Sequence, residues 1–294
     1  MNKNLIVSSA DHKYSQLIEE LYQSTLKLKN YDFAILDCGL EQNIIEKYEN
    51  RGIEVKIPKW EVSVPNYKIR NRNYLKAQFS RFYLHEYFPG YENYFWLDSD
   101  TWINCPETFE YYLKGVNEKG FAICPQIDRS SSRLLNIKWL LNFPYKINSI
   151  NYKNISKSIS KEMGKKYAGH YTLNAGCFGY SKKYEGLSVI QKNLKEASKK
   201  GRIFGSDQVA LALSTFEDNL EFEFLPSYCN WICEHHMPKF CESREVFVEP
   251  YVPHHNIALI HLAGLDAERQ NNDIMHDIKT LSGKKIKKSL RYQN

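Results

Sequence analysis

Short apolar runs alternate with amphipathic stretches along the first half of the chain. LIVSS (Leu5–Ser9), DFAILD (Asp32–Asp37) and IEVKI (Ile53–Ile57) read as buried strands. Between them, about Gln16–Leu28 and a stretch stopped by Gly52 read as helices. The spacing predicts a further helix from about Arg72 to Tyr87, the turn Phe88–Tyr91, and then a strand ending in Asp-Ser-Asp. A short helix after Pro106 and the strands Phe121–Cys124, Leu173–Tyr180, Glu221–Leu225 and Ile257–Gly264 continue the pattern. This alternation predicts the α/β class: a mostly parallel, mixed sheet with flanking helices. Ser130–Lys166 breaks the rhythm, being rich in Asn, Lys and Ser and interrupted by Pro144, and is expected to form a small helical lobe over a site. The basic run Lys284–Arg291 reads as a solvated helix end.

The sharpest chemical signal is YFWLDSDTWI, Tyr94–Ile103. A buried strand empties into two carboxylates, Asp98 and Asp100, separated by Ser99. In an extended segment, residues i and i+2 point to one side, so both carboxylates can reach one hard cation. Mg²⁺ or Mn²⁺ held this way keeps positions open for phosphate oxygens. The competing reading is an Asp-rich turn after a strand.

Composition narrows the classes. With 294 residues the chain suits one large domain, or one domain with an appended lobe. Forty Lys and Arg against 34 Asp and Glu give a net charge of +6, too mild to indicate nucleic acid. Aromatic residues make up 14% of the chain, including 21 Tyr, a share compatible with sugar- or base-stacking surfaces, although most are expected in the core. Trp102 and Trp231 are expected to pack. The seven cysteines form no framework, and the spacing of Cys229, Cys233 and Cys241 with His235 and His236 does not match a zinc pair. No stretch is long and apolar enough to span a bilayer, and the first residues lack a signal-peptide core, so a cytoplasmic location is expected.

Four other segments accompany the acidic pair in a fixed order. SSADHKY (Ser8–Tyr14) ends the first strand with Asp11 and Tyr14, able to hydrogen-bond and stack on a flat base. KAQFSRF carries Arg81, suited to bridging phosphate or orienting the Asp side chains. NAGCFG (Asn174–Gly179) places small residues where backbone can approach a ligand, and HLAG (His261–Gly264) offers an imidazole and a glycine after the last strand.

With these motifs in this order, from about Leu5 to Arg269, the chain resembles the retaining GT-A glycosyltransferases of family 8, the glycogenin and lipopolysaccharide galactosyltransferase type. The resemblance implies a Rossmann-like nucleotide-binding half, a nucleotide-sugar donor, often UDP-linked, and Mn²⁺ or Mg²⁺. It implies Asp98, Asp100 and His261 as metal ligands, and Asp11 and Tyr14 at the base, with Ser9 and Ala10 beside them in the nucleotide site. Arg81 and Ser99 would reach the ribose or phosphates; Gly264 would allow close phosphate approach. Asn174, Ala175 and Gly176 would line the sugar, and Asp207 and Gln208 would face its reacting side. The acceptor would be a glycan or a lipid-linked glycan, and the basic run suits contact with the inner face of a membrane. A single domain over residues 1–283 with a basic tail, 284–294, is expected.

Two departures stand out. Where the family has a diphosphate-binding Lys after the HxxG glycine, this chain has Ala267, which leaves Arg269 or Arg81 to stabilise the leaving group. The base motif reads Asp11-His12-Lys13-Tyr14. Ser206 is expected to cap the helix that carries Asp207 and Gln208. Two rival classes remain at this level: a degenerate sugar-nucleotide-binding protein, which the missing Lys favours, and an Asp-nucleophile phosphohydrolase, which the bulky Trp102–Ile103 disfavours.

Overall fold

The computed structural model describes residues 3–132, 134–200 and 202–293. Strands β1 (Asn4–Ala10), β2 (Tyr31–Asp37) and β3 (Glu54–Lys56) alternate with helices Ser15–Thr25 and Gln42–Glu49. β4 (Asn93–Leu97) and β5 (Thr101–Ile103) flank the acidic turn, and the helix Pro106–Lys119 leads into β6 (Phe121–Gln126). β7 (Asn136–Leu140) and β8 (Phe143–Asn148) form a hairpin, β9 (Thr172–Ser181) is a long central strand, and β10 is Glu223–Phe224. The remaining short strands are β11 (Trp231–Ile232), β12 (Lys239–Cys241), β13 (Val246–Val248), β14 (Leu259–His261), β15 (His276–Lys279) and β16 (Lys285–Lys288).

The main sheet has seven strands in the order β10-β6-β9-β4-β1-β2-β3. Only β9 runs antiparallel to its neighbours β4 and β6. The mostly parallel, mixed α/β sheet expected from the sequence is therefore present. Both faces of its centre are covered, which explains the unbroken apolar runs. Along β4, Tyr94 and Trp96 enter one core cluster while Phe95 and Leu97 enter the other. A second, three-stranded sheet, β11-β14-β5, lies at the end of β4 and receives the HLAG strand.

Four local expectations need correction. The helix expected over Arg72–Tyr87 is broken into a 3-10 turn, Asn73–Lys76, and two single-turn helices, Ala77–Ser80 and Leu84–Tyr87. Phe82 and Leu84 both bury in the same core cluster, and two residues apart on one helix would lie about 200° around its axis. The chain turns between them instead. The lobe begins not as a helix but as the β7–β8 hairpin, with Lys138 opposite Lys146; its helices, Ile150–Ser158 and Lys161–Lys166, follow. Its apolar side chains, Trp139, Leu141 and Phe143 among them, are exposed, so no core-facing period marked the strands.

The basic run is a strand, not a helix end: β16 pairs antiparallel with β15, Ile286 opposite Ile278. Beyond it, Arg291 is buried and grips Glu20 with two hydrogen bonds of 2.6 Å. Finally, Gly205, with φ of +86°, caps the Ser206–Phe216 helix, and Ser206 lies inside its first turn. All seven cysteines are free thiols, and Trp102 and Trp231 are buried in packing. No described helix is long and apolar enough to cross a membrane.

Candidate active site

Strand order positions the site. The chain builds β1, β2 and β3 outward in one direction, then returns to lay β4 on the other side of β1. The connections leaving the carboxyl ends of β1 and β4 diverge there, opening a crevice. Asp11 follows the end of β1 and Asp98 follows the end of β4, so both motifs open into one cleft. It has a volume of about 460 Å³, and Ser9, Ala10, Asp11, Tyr14, Arg81, Asp98, Ser99 and Asp100 contribute to its lining, joined by Arg269.

Asp98 and Asp100 do not converge by strand alternation. They sit in a tight turn between β4 and β5, in which the Thr101 N–H donates to the Asp98 carbonyl at 3.0 Å. The turn and the metal readings thus describe one feature. β5 then pairs antiparallel with β14, with His261 opposite Thr101, which brings the imidazole over the turn. The ligand atoms of Asp98, Asp100 and His261 lie within 4.8 Å of one another. This is the one such group of three or more among the described residues.

The supporting contacts give each ligand a fixed aim. His261 Nδ1 lies 2.8 Å from Asn230 Oδ1, and Asn230 Nδ2 in turn donates to Asn174 Oδ1. An amide oxygen only accepts, so Nδ1 carries hydrogen and Nε2 faces Asp100 Oδ1 at 3.4 Å. Trp96 Nε1 donates to Asp98 Oδ1 at 2.8 Å. Gly176 leaves the space between: a Cβ there would stand 2.7 Å from both Asp98 Oδ2 and His261 Cε1. Two carboxylates and an imidazole around a space that a methyl group would fill fit a divalent cation.

Arg81 joins this cluster to the helix of Asp207. Its guanidinium is buried, 2.9 Å from Asp207 Oδ2 and 3.3 Å from Asp98 Oδ1, and it donates to the Ala175 carbonyl at 2.7 Å. It also lies over the Trp96 ring at 4.7 Å. Of the two roles the sequence allowed, orienting carboxylates is the one these contacts perform. Burial raises the Asp207 carboxyl above its usual range, with Arg81 opposing. Burial likewise raises Asp98, Arg81 again opposing and Asp100 adding to the rise. For Asp100, burial is outweighed by His261 and Arg269, and its carboxyl falls below its usual range.

The other expected residues fall around this centre. Asp11 accepts from the Lys13 N–H at 3.0 Å and so caps the 3-10 turn His12–Tyr14. The Arg269 guanidinium lies 6.0 Å from the centre of the Tyr14 ring and reaches Asp100 Oδ2 at 3.1 Å, placing a cation in the cleft two residues beyond the exposed Ala267. Asn174 lines an adjoining recess with Ser131, Asn230 and His235, and its Oδ1 accepts from the Gly176 N–H. Gln208 is half-buried, and its main-chain N–H donates to Asp207 Oδ1. Gly264 has φ of +82° and its open side meets the Glu234 carboxylate, not the cleft. Sequence reading missed Asn230 and Trp96. Trp96 carried a signal, since it lies two residues before Asp98 and shares its side of the strand. Asn230 carried none.

Residues 5–165 match the family model described as glycosyl transferase family 8, more than half of the chain. The chain belongs to that family. This family 8 chain is a glycosyltransferase. No curated protein matches it significantly. Among solved structures it is similar to the galactosyltransferase LgtC in complex with donor and acceptor sugar analogs, at 14% identity, covering 88% of this chain and 87% of that one with a TM-score of 0.47. It is also similar to the bifunctional glycosyltransferase WbbM, at 14% identity over 77% of this chain and 39% of that one, TM-score 0.47. A third is GlyE of Streptococcus pneumoniae TIGR4, at 14% identity over 78% and 46% of the respective chains, TM-score 0.44. The family 8 chain thus spans less than half the length of WbbM and GlyE.

Proposed function

We propose that this glycosyltransferase moves a sugar from a nucleotide-sugar donor, UDP-linked, to a glycan or lipid-linked acceptor with retention of anomeric configuration. The observation that carries the reading is the convergence of Asp98, Asp100 and His261 on one space at the wall of the cleft that also holds Asp11 and Tyr14. Mn²⁺ or Mg²⁺ held by these three would offset charge developing on the leaving diphosphate.

The protein's own groups supply the rest. Tyr14 and Asp11 take the base, with Ser9, Ala10 and Ser99 along the nucleotide. Arg269 substitutes for the Lys replaced by Ala267: its guanidinium can turn from Asp100 to a diphosphate oxygen without leaving the cleft. In the transfer, the acceptor oxygen bonds to the anomeric carbon on the face from which the diphosphate departs. The bond to the diphosphate oxygen breaks, and the acceptor's hydroxyl proton passes to that departing oxygen. Because Asp207 is committed to Arg81, it serves by holding the guanidinium that reaches Asp98, and by accepting from the Gln208 N–H at the helix start. Gln208, the next residue, is the candidate to face the oxocarbenium-like sugar. Asn174, Ala175 and Gly176 border the sugar.

We further take the chain as one glycosyltransferase unit acting in the cytoplasm, with the β15–β16 hairpin packed into it and the exposed Lys284, Lys285 and Lys287 available to an anionic membrane surface. The test is a thermal-shift screen of nucleotide sugars with Mn²⁺. A UDP-sugar that stabilises the wild type and not Asp100→Ala supports the reading. Stabilisation by none, or equally in both proteins, overturns it.

A further inference from the structure

Beside the donor cleft lies a second, larger groove of about 730 Å³. Its lining includes six cations, Lys68, Arg70, Arg72, Lys157, Lys200 and Arg202, and among the described residues no Asp or Glu lines it. Six positive charges equal the net charge of the entire chain, +6, so the charges outside the groove sum to zero while those lining it are all of one sign. The hydrogen bonds that Lys68, Arg70 and Arg72 make go to main-chain carbonyls and neutralise none of that charge. Lys68 Nζ donates to the carbonyls of Ser198 and Lys199 at 3.2 and 2.7 Å. Arg72 donates to those of Lys68 and Ile69, and Arg70 to that of Tyr67. These bonds hold the groove wall to itself and to the end of the Leu187–Lys200 helix, and among the described residues no carboxylate pairs with these cations.

Three aromatic rings share the lining and are unusually open: Tyr67 at 70% exposure, Phe204 at 69% and Tyr74 at 46%. Open ring faces among cations provide apolar platforms for sugar rings beside donors for anionic substituents. Tyr74 and Phe204 also line the donor cleft, so the two cavities meet at these rings. A flat lipid surface has no reason to enter a concave groove that opens onto the reaction centre, whereas a sugar chain delivering a hydroxyl to that centre does.

We propose that this groove is the acceptor site and selects an anionic glycan, one carrying phosphate or carboxylate substituents. Tyr74 and Phe204 support the sugar that enters the donor cleft, and the Lys and Arg cluster holds the charged groups farther along. This assignment rests on the transferase reading above and adds to it the charge class of the acceptor. Such binding is electrostatic at a partly open site, so it weakens as salt rises.

The experiment compares the wild type with Arg70→Glu/Lys157→Glu/Arg202→Glu on an array of neutral, phosphorylated and uronate-containing oligosaccharides. Both proteins are first checked for UDP-sugar and Mn²⁺ thermal stabilisation. Equal stabilisation of the two shows that the variant is folded with its donor cleft intact; its absence in the wild type is a failure of the transferase reading instead. A parallel arm measures sedimentation with phosphatidylglycerol vesicles. The expected result is that the wild type retains charged glycans over neutral ones, and that the triple variant loses this by about tenfold or more with neutral glycans unaffected. If the variant itself loses donor stabilisation, the single variant Arg202→Gln repeats the comparison, with a loss of two- to fivefold expected. Neutral and charged glycans retained alike, unchanged retention in the variants, or charge-dependent binding to vesicles alone each overturn the proposal.

Discussion

Arg81 Nη1 lies 2.9 Å from Asp207 Oδ2, and both side chains are almost fully buried. Because Arg81 also reaches Asp98, it couples the start of the Ser206–Phe216 helix to the candidate metal ligands. Removing it alone leaves the buried Asp207 carboxylate without its ion-pair partner and takes one from Asp98 as well. Arg81→Met is expected to cost about 3–5 kcal/mol in urea unfolding. The double variant with Asp207→Asn should recover part of that loss, because the stranded charge goes too. Strictly additive losses would show that the pair is not coupled.

Asn230 acts on the site through His261. Asn230→Ala removes the acceptor that fixes the imidazole with Nε2 inward, and is expected to weaken Mn²⁺ binding by about 10- to 100-fold. Titration calorimetry with Mn²⁺ checks this, with circular dichroism confirming the fold. An unchanged affinity would mean that packing alone orients His261.

Gly176 is the cheapest place to close the ligand cluster. In Gly176→Ala the new methyl would stand 2.7 Å from Asp98 Oδ2 and His261 Cε1, so the ligands must part. The fold should lose about 1–3 kcal/mol, as for other overpacked sites, while Mn²⁺ no longer raises the melting temperature. Retained metal stabilisation in this variant would argue against a cation in that space.

Glu19 gives a pH signature away from the site. Burial opposes its ionisation, but hydrogen bonds from Arg51, Gln23 and Lys47 win, and its carboxyl falls from the ordinary 4.5 to about 2. A depressed folded-state pKa contributes stability above the unfolded value, and that contribution is lost as pH falls from about 4.5 toward 2. At this partly wet position it is worth about 1–2 kcal/mol. The stability difference between wild type and Glu19→Gln should therefore be present at neutral pH and vanish in acid. A difference that grows in acid would contradict the assignment.

The chain's end is held by Arg291 gripping Glu20 on the Ser15–Thr25 helix. Arg291→Ala is expected to lower stability by about 2–4 kcal/mol, read by denaturant unfolding. A neutral result would restore the view of this stretch as a solvated tail.

The sequence by itself determined the strands of the main sheet, the strand–helix alternation and the acidic pair at the end of a buried strand. Those features are written in runs of neighbouring residues whose periodicity follows directly from burial on one or both faces. It also held the order of the motifs, from Asp11 to His261. It did not determine how Asp98 and Asp100 converge, because a turn closed by Thr101 replaces the extended geometry that i, i+2 spacing implied. Nor did it determine that β5 pairs with β14 to bring His261 over that turn, that Asn230 aims it, or that Arg81 meets Asp207. The basic groove is of the same kind, assembled from side chains between Tyr67 and Tyr74, from Lys157, and from Lys200 with Arg202, Ile203 and Phe204. These meetings depend on strand register and on packing between distant segments, and no local pattern of side chains encodes them.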